Sequence, residues 1–114
     1  MNDRSMLVLN PKALDKMKTD VGEAHLPVLL ECFIGELEEY IVLLNRTDNS
    51  DKICADISHS LKSSAASFGA DALLQIAIQI DTAVKRNQTI CSQKTKAKLI
   101  ASLESTLAEY QRYL

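Results

Sequence analysis

Apolar residues recur along the chain at spacings of three and four, the period of amphipathic α-helices, and no alternating strand pattern extends beyond a few residues. Asn10 and Pro11 indicate a helix start, because Asn is a good N-cap and Pro fits the first helical position. Gly22 indicates where this short helix ends. Its core-facing positions are predicted to be Leu14, Met17 and Val21.

Four longer amphipathic helices are expected after this first one. The second runs from about Glu23 to Asn45, and its predicted core stripe is Leu30, Phe33, Leu37, Ile41 and Leu44. The polar residues that follow predict a loop, with Ser50 as the cap of a third helix that runs to about Phe68. Gly69 is expected to end that helix.

The last two helices show the same period. The fourth is expected to begin at Asp71 and to fade at Asn87-Gln88, with a core face made of Leu73, Ile76, Ala77, Ile80 and Val84. The fifth runs from about Ser92 to the end of the chain, with a predicted stripe of Ile100, Leu103, Leu107, Tyr110 and Leu114. Spacings that alternate between three and four favour helix packing at about +20°.

Short connections between these helices favour antiparallel neighbours. The sequence therefore predicts an all-α fold, an antiparallel up-down-up-down four-helix bundle with a short additional N-terminal helix. One domain is expected to span residues 1–114. Since a bundle by itself determines no function, the function has to be sought in a site.

Composition narrows the class of protein. Hydrophobic residues make up 46% of the chain and charged residues 25%, which suits one globular domain rather than a disordered chain. The net charge of −2, without a basic stretch, argues against nucleic-acid binding. The apolar runs are too short to span a membrane and the first residues form no secretory signal, so we expect a cytoplasmic protein.

Several residues with reactive or charged side chains carry no recognisable pattern. The three cysteines form no C-x-x-C pair, so no disulfide framework or zinc site is expected. They are predicted to be small buried hydrophobes or inert thiols: Cys32, Cys54 and Cys91. His25, near the start of the second helix, is assigned no role. Three glutamates of that helix are expected to form a solvated face: Glu36, Glu38 and Glu39.

His59 is the residue whose position is unusual. On a helical wheel of about 100° per residue it points away from the core direction, which is defined by Cys54, Ile57, Leu61 and Phe68. Most of its neighbours on that surface are small, so another protein could approach closely. This expected docking surface consists of Ala55, Asp56, Ser60, Ser63, Ala66 and Ser67.

An imidazole in this setting suits one kind of chemistry. It is largely uncharged at neutral pH and is then a good nitrogen nucleophile. A helix surface offers no substrate pocket, but it suits accepting a phosphoryl group from a partner that brings its own pocket and metal ion. Lys62, at i+3 from His59, could neutralise the phosphoryl oxygens. The residues leave other readings open: an ordinary surface histidine, a binding module without chemistry, or a small enzyme such as a histidine phosphatase, which the lack of an arginine-rich phosphate pocket disfavours.

The segment from His59 to Ala70 resembles the signature of histidine-containing phosphotransfer (HPt) domains, whose common form is H-x-L-K-G-S-x-x-x-x-G. Ser63 departs from it at a position where glycine is common, and the small serine should still permit close docking. The resemblance extends to Leu73 and to essentially the whole chain. The matching positions are His59, Leu61, Lys62, Ser64 and Gly69.

The resemblance implies roles for individual residues. His59 would be phosphorylated, Lys62 would favour the phosphoryl group, and Gly69 would close the helix. Many HPt domains carry Gln or Glu 22 residues after the histidine to hold its ring; Asp81 occupies that position, and a solvated helix charge is the alternative. Lys85 matches a basic position of some relatives and is a candidate contact for partner or phosphate, again with a plain surface charge as the alternative. Ser64, near the core boundary, is expected to bond back to the carbonyl one turn earlier.

The resemblance also implies a function and partners. The chain would be a monomeric phosphorelay protein that takes a phosphoryl group from the receiver domain of a hybrid sensor kinase and passes it to a response regulator, in bacterial quorum sensing. Mg²⁺ is expected in the partner receiver domain and no cofactor in this chain. Without a Gly-rich nucleotide loop the protein is not expected to use ATP or to be an enzyme. The rival is a non-catalytic helical adaptor.

Overall fold

The computed structural model describes residues 7–46, 51–86 and 93–114, which contain helices and no β-strand. The all-helical prediction is confirmed. The helices are α1 (Pro11–Val21), α2 (Leu26–Arg46), α3 (Asp51–Phe68), α4 (Asp71–Lys85) and α5 (Gln93–Tyr113). Outside the described residues lie the expected Ser50 cap, the fading of the fourth helix at Asn87-Gln88, the Ser92 start and Cys91.

The ends of α1 follow the sequence signals. The Asn10 side chain accepts a hydrogen bond from the backbone N–H of Lys12 at 3.0 Å, and Pro11 occupies the first turn. Gly22 adopts φ 94° and donates its N–H to the carbonyl of Lys18.

The second helix starts three residues later than predicted, at Leu26, because residues 23–25 form a turn.

The core lies among α2, α3, α4 and α5. Helix α3 packs against α2 and α4, helix α5 packs against α2 and α4, and α1 packs on α2 and α3. The predicted stripe of α2 is buried except for Ile41, which is half-buried. On α4, Ile76 and Val84 are likewise half-buried. The largest fully buried side chains include Leu14, Leu30, Phe33, Leu37, Leu61, Leu73, Leu103 and Tyr110.

The buried face of α5 differs from the stripe that the sequence predicts. The expected end of the stripe, Leu114, is 53% exposed and lies past the helix, while Ile100 and Leu107 are half-buried. A polar residue takes one of the core positions, since Thr106 is buried and donates its hydroxyl to the carbonyl of Ser102 at 2.7 Å. The buried face is Leu99, Leu103, Thr106 and Tyr110.

One other burial prediction is wrong. Val21 of α1 is exposed, because the chain leaves the helix at the next residue and turns. Cys32 is exposed, so the buried alternative of the two expected for the cysteines does not hold for it, whereas Cys54 is buried. No helix within the described ranges is long and apolar enough to cross a bilayer.

The turn between α3 and α4 is fastened to the N-terminal segment. Gly69, at φ 80°, accepts a hydrogen bond on its carbonyl from the Asn10 backbone N–H at 2.8 Å. The Asn10 side chain donates to Asp71 at 3.0 Å, and the carbonyl of Leu7 accepts from the Ala72 N–H at 2.9 Å. These bonds hold α3 and α4 in register, which sets which side chains of the two helices face each other.

Candidate functional site

His59 lies on the solvent side of α3. Its side chain is 74% exposed, while Cys54, Ile57 and Leu61 of the same helix are buried. This is the direction given by the helical wheel, and it leaves one edge of the imidazole open to a partner.

Asp81 lies on α4 and faces the ring of His59. Its side chain is only 8% exposed, so the alternative reading as a solvated helix charge is wrong. Oδ1 of Asp81 lies 3.6 Å from Nδ1 of His59, within ion-pair range but longer than a hydrogen bond. The carboxylate therefore stands beside one ring nitrogen, and Nε2 is the nitrogen left for chemistry.

The other carboxylate oxygen of Asp81 binds two lysines. Nζ of Lys62 lies 2.7 Å and Nζ of Lys85 3.0 Å from Oδ2. The hydrogen bonds from Lys62 and then Lys85 outweigh burial and lower the pKa of Asp81 from 3.8 to about 2. The same contact raises the pKa of Lys85. The cluster therefore joins one ionised carboxylate to the side-chain nitrogens of two lysines.

The surface around His59 is built of small side chains. Ser60, Ser63, Ala66 and Ser67 are exposed along the same stretch of α3. Two other residues of the predicted docking surface are not both small and exposed, so the open part of the surface is smaller than predicted. Ala55 is half-buried against the core, and exposed Asp56 is paired with Lys52 at 2.9 Å.

A groove continues this surface towards α1. It has a volume of about 450 Å³ and lies two turns beyond His59 along α3. The sequence did not show which residues of the first helix lie beside the exposed face of α3. The lining of this groove identifies them. The lining residues are Ala13, Lys16, Met17, Asp20, Val21, Leu29, Ala66 and Ser67.

A second polar cluster, which sequence reasoning missed, lies between α2 and α3. Oε2 of Glu36 accepts hydrogen bonds from the hydroxyls of Tyr40 at 2.6 Å and Ser64 at 3.2 Å. Glu36 is half-buried, so its assignment to the solvated face is corrected, while Glu38 and Glu39 are exposed. The i,i+4 spacing of Glu36 and Tyr40 was the available signal.

The cluster has two further features. Ser64 also reaches the carbonyl of Ser60 at 3.5 Å, the back-bond expected for it. Burial first, and then the hydrogen bond to Glu36, raise the pKa of Tyr40 to about 12, so its hydroxyl stays a donor at neutral pH.

Other candidate chemistry does not gather at the site. The ring of His25 lies by the turn between α1 and α2, with Nδ1 3.0 Å from the carbonyl oxygen of Val21. Among the residues that the structure describes, no group of three or more His, Cys, Asp or Glu side chains could hold a metal ion.

Comparisons with known proteins agree with the motif. The sequence profile of the Hpt domain matches residues 28–112. The phosphorelay protein LuxU of Vibrio vulnificus strain YJ016 is 42% identical over 107 residues, covering 92% of this chain and 93% of that protein. The phosphorelay protein LuxU of Vibrio harveyi is 38% identical over 108 residues, covering 93% and 95%.

A further relative is matched over a shorter stretch. The phosphorelay protein LuxU of Vibrio cholerae El Tor Inaba N16961 is 39% identical over 82 residues, which cover 70% of this chain and 73% of that protein. No solved structure was found to match the chain. The profile match covers well over half of the residues, and the chain therefore belongs to the Hpt domain family.

Proposed function

We propose that this protein is a phosphorelay carrier. His59 accepts a phosphoryl group from the receiver domain of a hybrid sensor kinase and passes it to the aspartate of a response regulator. The observation that carries this proposal is an exposed imidazole whose Nδ1 stands 3.6 Å from a buried carboxylate, Asp81. Family membership and the similarity to LuxU phosphorelay proteins support the same function and a place in bacterial quorum sensing.

The ring nitrogens of His59 have different tasks. Asp81 favours the tautomer with the proton on Nδ1, so the lone pair of Nε2 points outward. That lone pair attacks phosphorus in line, and the bond between phosphorus and the partner's aspartyl oxygen breaks with its electrons leaving on the carboxylate. The positive charge that develops on the ring strengthens its contact with Asp81, as apo contacts commonly tighten during reaction.

Lys62 stabilises the transferred group. It is three residues from His59 on α3, so the two side chains share one face of the helix. Its ammonium carries three donors, which suit the phosphoryl oxygens. The step is reversible, because the same contacts serve attack by Nε2 of His59 on phosphorus and the later attack by the next partner's aspartate on that phosphorus, which breaks the bond to Nε2.

The partners supply the remaining chemistry. The receiver domain brings the phosphoaspartate and its Mg²⁺, and this chain brings the nucleophile, so we assign it no metal or nucleotide site and regard it as a carrier rather than an enzyme. Docking centres on His59 and the exposed part of α3, and extends to the groove beside α1. Interfaces of this transient kind are modest in area.

The arrangement of helices supports the finer prediction for the fold. Each of α2, α3, α4 and α5 packs against two of the other three, as four helices around one core do. We therefore assign an antiparallel up-down-up-down bundle to these helices, with α1 added at one side. One domain covers residues 1–114, and the protein acts as a cytoplasmic monomer.

Phosphoryl transfer from a phosphorylated receiver domain, with Mg²⁺ present, tests the proposal. Wild type should gain acid-labile, base-stable label, and His59→Gln should gain none. His25→Gln is the matched control, since it removes the other histidine, and it should be labelled like wild type. Unlabelled wild type that still binds receivers would favour the non-catalytic adaptor, and label on His59→Gln would place the phosphoryl group elsewhere.

A further inference from the structure

The two oxygens of Asp81 serve different partners. Oδ1 faces Nδ1 of His59 at 3.6 Å, while Oδ2 accepts from both Lys62 at 2.7 Å and Lys85 at 3.0 Å. Since the two ammonium groups occupy the same oxygen, either one alone keeps Oδ2 paired.

This sharing bears on how Lys62 reaches a phosphoryl group. In the unphosphorylated protein its ammonium is held by a carboxylate whose side chain is 8% exposed. If Lys62 withdrew and no second cation were present, Oδ2 of this poorly solvated carboxylate would have no donor, which is strongly unfavourable. The presence of Lys85 on the same oxygen removes that obstacle.

The two lysines are not equivalent in position. Lys62 shares a helix face with His59, whereas Lys85 is on α4 at i+4 from Asp81, one turn further along that helix. A carboxylate four residues before a lysine is the favourable order for a helical ion pair. Lys85 is thus placed to stay on Asp81 while Lys62 turns towards Nε2 of His59.

We propose, on the basis of the proposed function, that Lys85 is a positioning residue that keeps Asp81 paired and so releases Lys62 to the phosphoryl group on His59. Lys85 contacts neither the phosphoryl group nor the receiver domain in this scheme. Its effect on the reaction passes through Asp81 and Lys62.

The equilibrium constant for phosphoryl exchange with a receiver domain provides the test. At concentrations where the two proteins are mostly unbound, this constant compares the free phosphorylated and unphosphorylated forms of each protein. A residue that only contacts the receiver therefore changes the rate of phosphoryl transfer but not this equilibrium constant. Lys85→Gln should lower the constant for phosphorylation of His59 roughly 10-fold, the size of one weakened charged hydrogen bond. Arg86→Gln, which removes the neighbouring exposed cation, is the matched control and should leave it unchanged.

A second background distinguishes an indirect role from a direct one. In Asp81→Asn there is no carboxylate to keep paired, so adding Lys85→Gln should change the constant by less than about twofold. The inference would be overturned if Lys85→Gln left the equilibrium constant unchanged. It would also be overturned if Lys85→Gln lowered the constant as much in the Asp81→Asn background as in wild type, or if Arg86→Gln lowered it as much as Lys85→Gln. Wild type that accepts no phosphoryl group would instead overturn the proposed function, so the two failures are distinguishable.

Discussion

The ammonium nitrogen of Lys62 on α3 lies 2.7 Å from Oδ2 of Asp81 on α4, so the lysine of the phosphotransfer motif is engaged before any phosphoryl group arrives. The same carboxylate faces the ring of His59 through its other oxygen. One buried acid on the neighbouring helix thus contacts both His59 and Lys62, the two residues to which we assign the nucleophile and the phosphoryl-stabilising charge. The site is a property of the α3–α4 pair rather than of the motif on α3 alone.

Removing the charge of Lys62 should slow phosphorylation. Lys62→Gln loses the ammonium that we propose stabilises the phosphoryl oxygens, and the initial rate of label uptake from a phosphorylated receiver domain is expected to fall on the order of 10-fold. Lys52→Gln is the control, since it removes an exposed lysine of the same helix that pairs with Asp56. Equal rates for wild type and Lys62→Gln would contradict this role.

The carboxylate of Asp81 should make a pH-dependent contribution to stability. Its pKa is lowered from 3.8 to about 2 in the folded protein, so the contribution is fully present above about pH 5 and is lost as pH falls towards 2. Urea unfolding of wild type and Asp81→Asn should therefore differ at pH 7 and converge between pH 4 and pH 2. Asp56→Asn, in an exposed pair, should match wild type throughout. A difference for Asp81→Asn that is the same at every pH would refute the assignment.

Gly69 should not tolerate a side chain. At φ 80° an added Cβ would lie 2.7 Å from the Cβ of Ala13 and 2.9 Å from the carbonyl oxygen of Asn10. Gly69→Ala is expected to lower the free energy of unfolding by about 2 kcal/mol or more. Gly35→Ala, on α2 with nothing within 4 Å of its added Cβ, should instead stabilise the protein by up to about 1 kcal/mol. Equal effects of the two substitutions in chemical denaturation would show that the turn is not constrained.

The hydroxyl of Tyr110 should matter more than that of Tyr113. Tyr110 is fully buried and donates to the carbonyl of Phe68 at 2.6 Å, where α3 ends. Tyr110→Phe would leave that carbonyl without this donor and should lower the free energy of unfolding by about 1–2 kcal/mol. Tyr113 is exposed, so Tyr113→Phe should stay within about 0.5 kcal/mol of wild type. Indistinguishable denaturation midpoints for the two variants would argue against the bond.

Local signals predicted most of the helices. The Asn10-Pro11 start, the Gly22 stop and the Gly69 stop all lie where the sequence placed them, because capping and positive φ depend on a few adjacent residues. The stripe of α5 was less well predicted. Spacings of three and four fit two overlapping faces of one helix, and only the neighbouring helices decide that Leu99 and Thr106 are buried and Leu114 is not.

By itself, the sequence determined that the chain is helical, that the side chain of His59 points away from the core, and that its motif is that of the HPt family. The helices and the direction of His59 follow from the periodicity of apolar residues, and the motif follows from its resemblance to the family signature. Only the tertiary structure decided that Asp81 of α4 is buried against Lys62 of α3, and that Glu36 of α2 binds Ser64 of α3. The reason is physical: side chains on different helices meet only at distances set by the packing of the helix pair, and no spacing along one helix contains that distance.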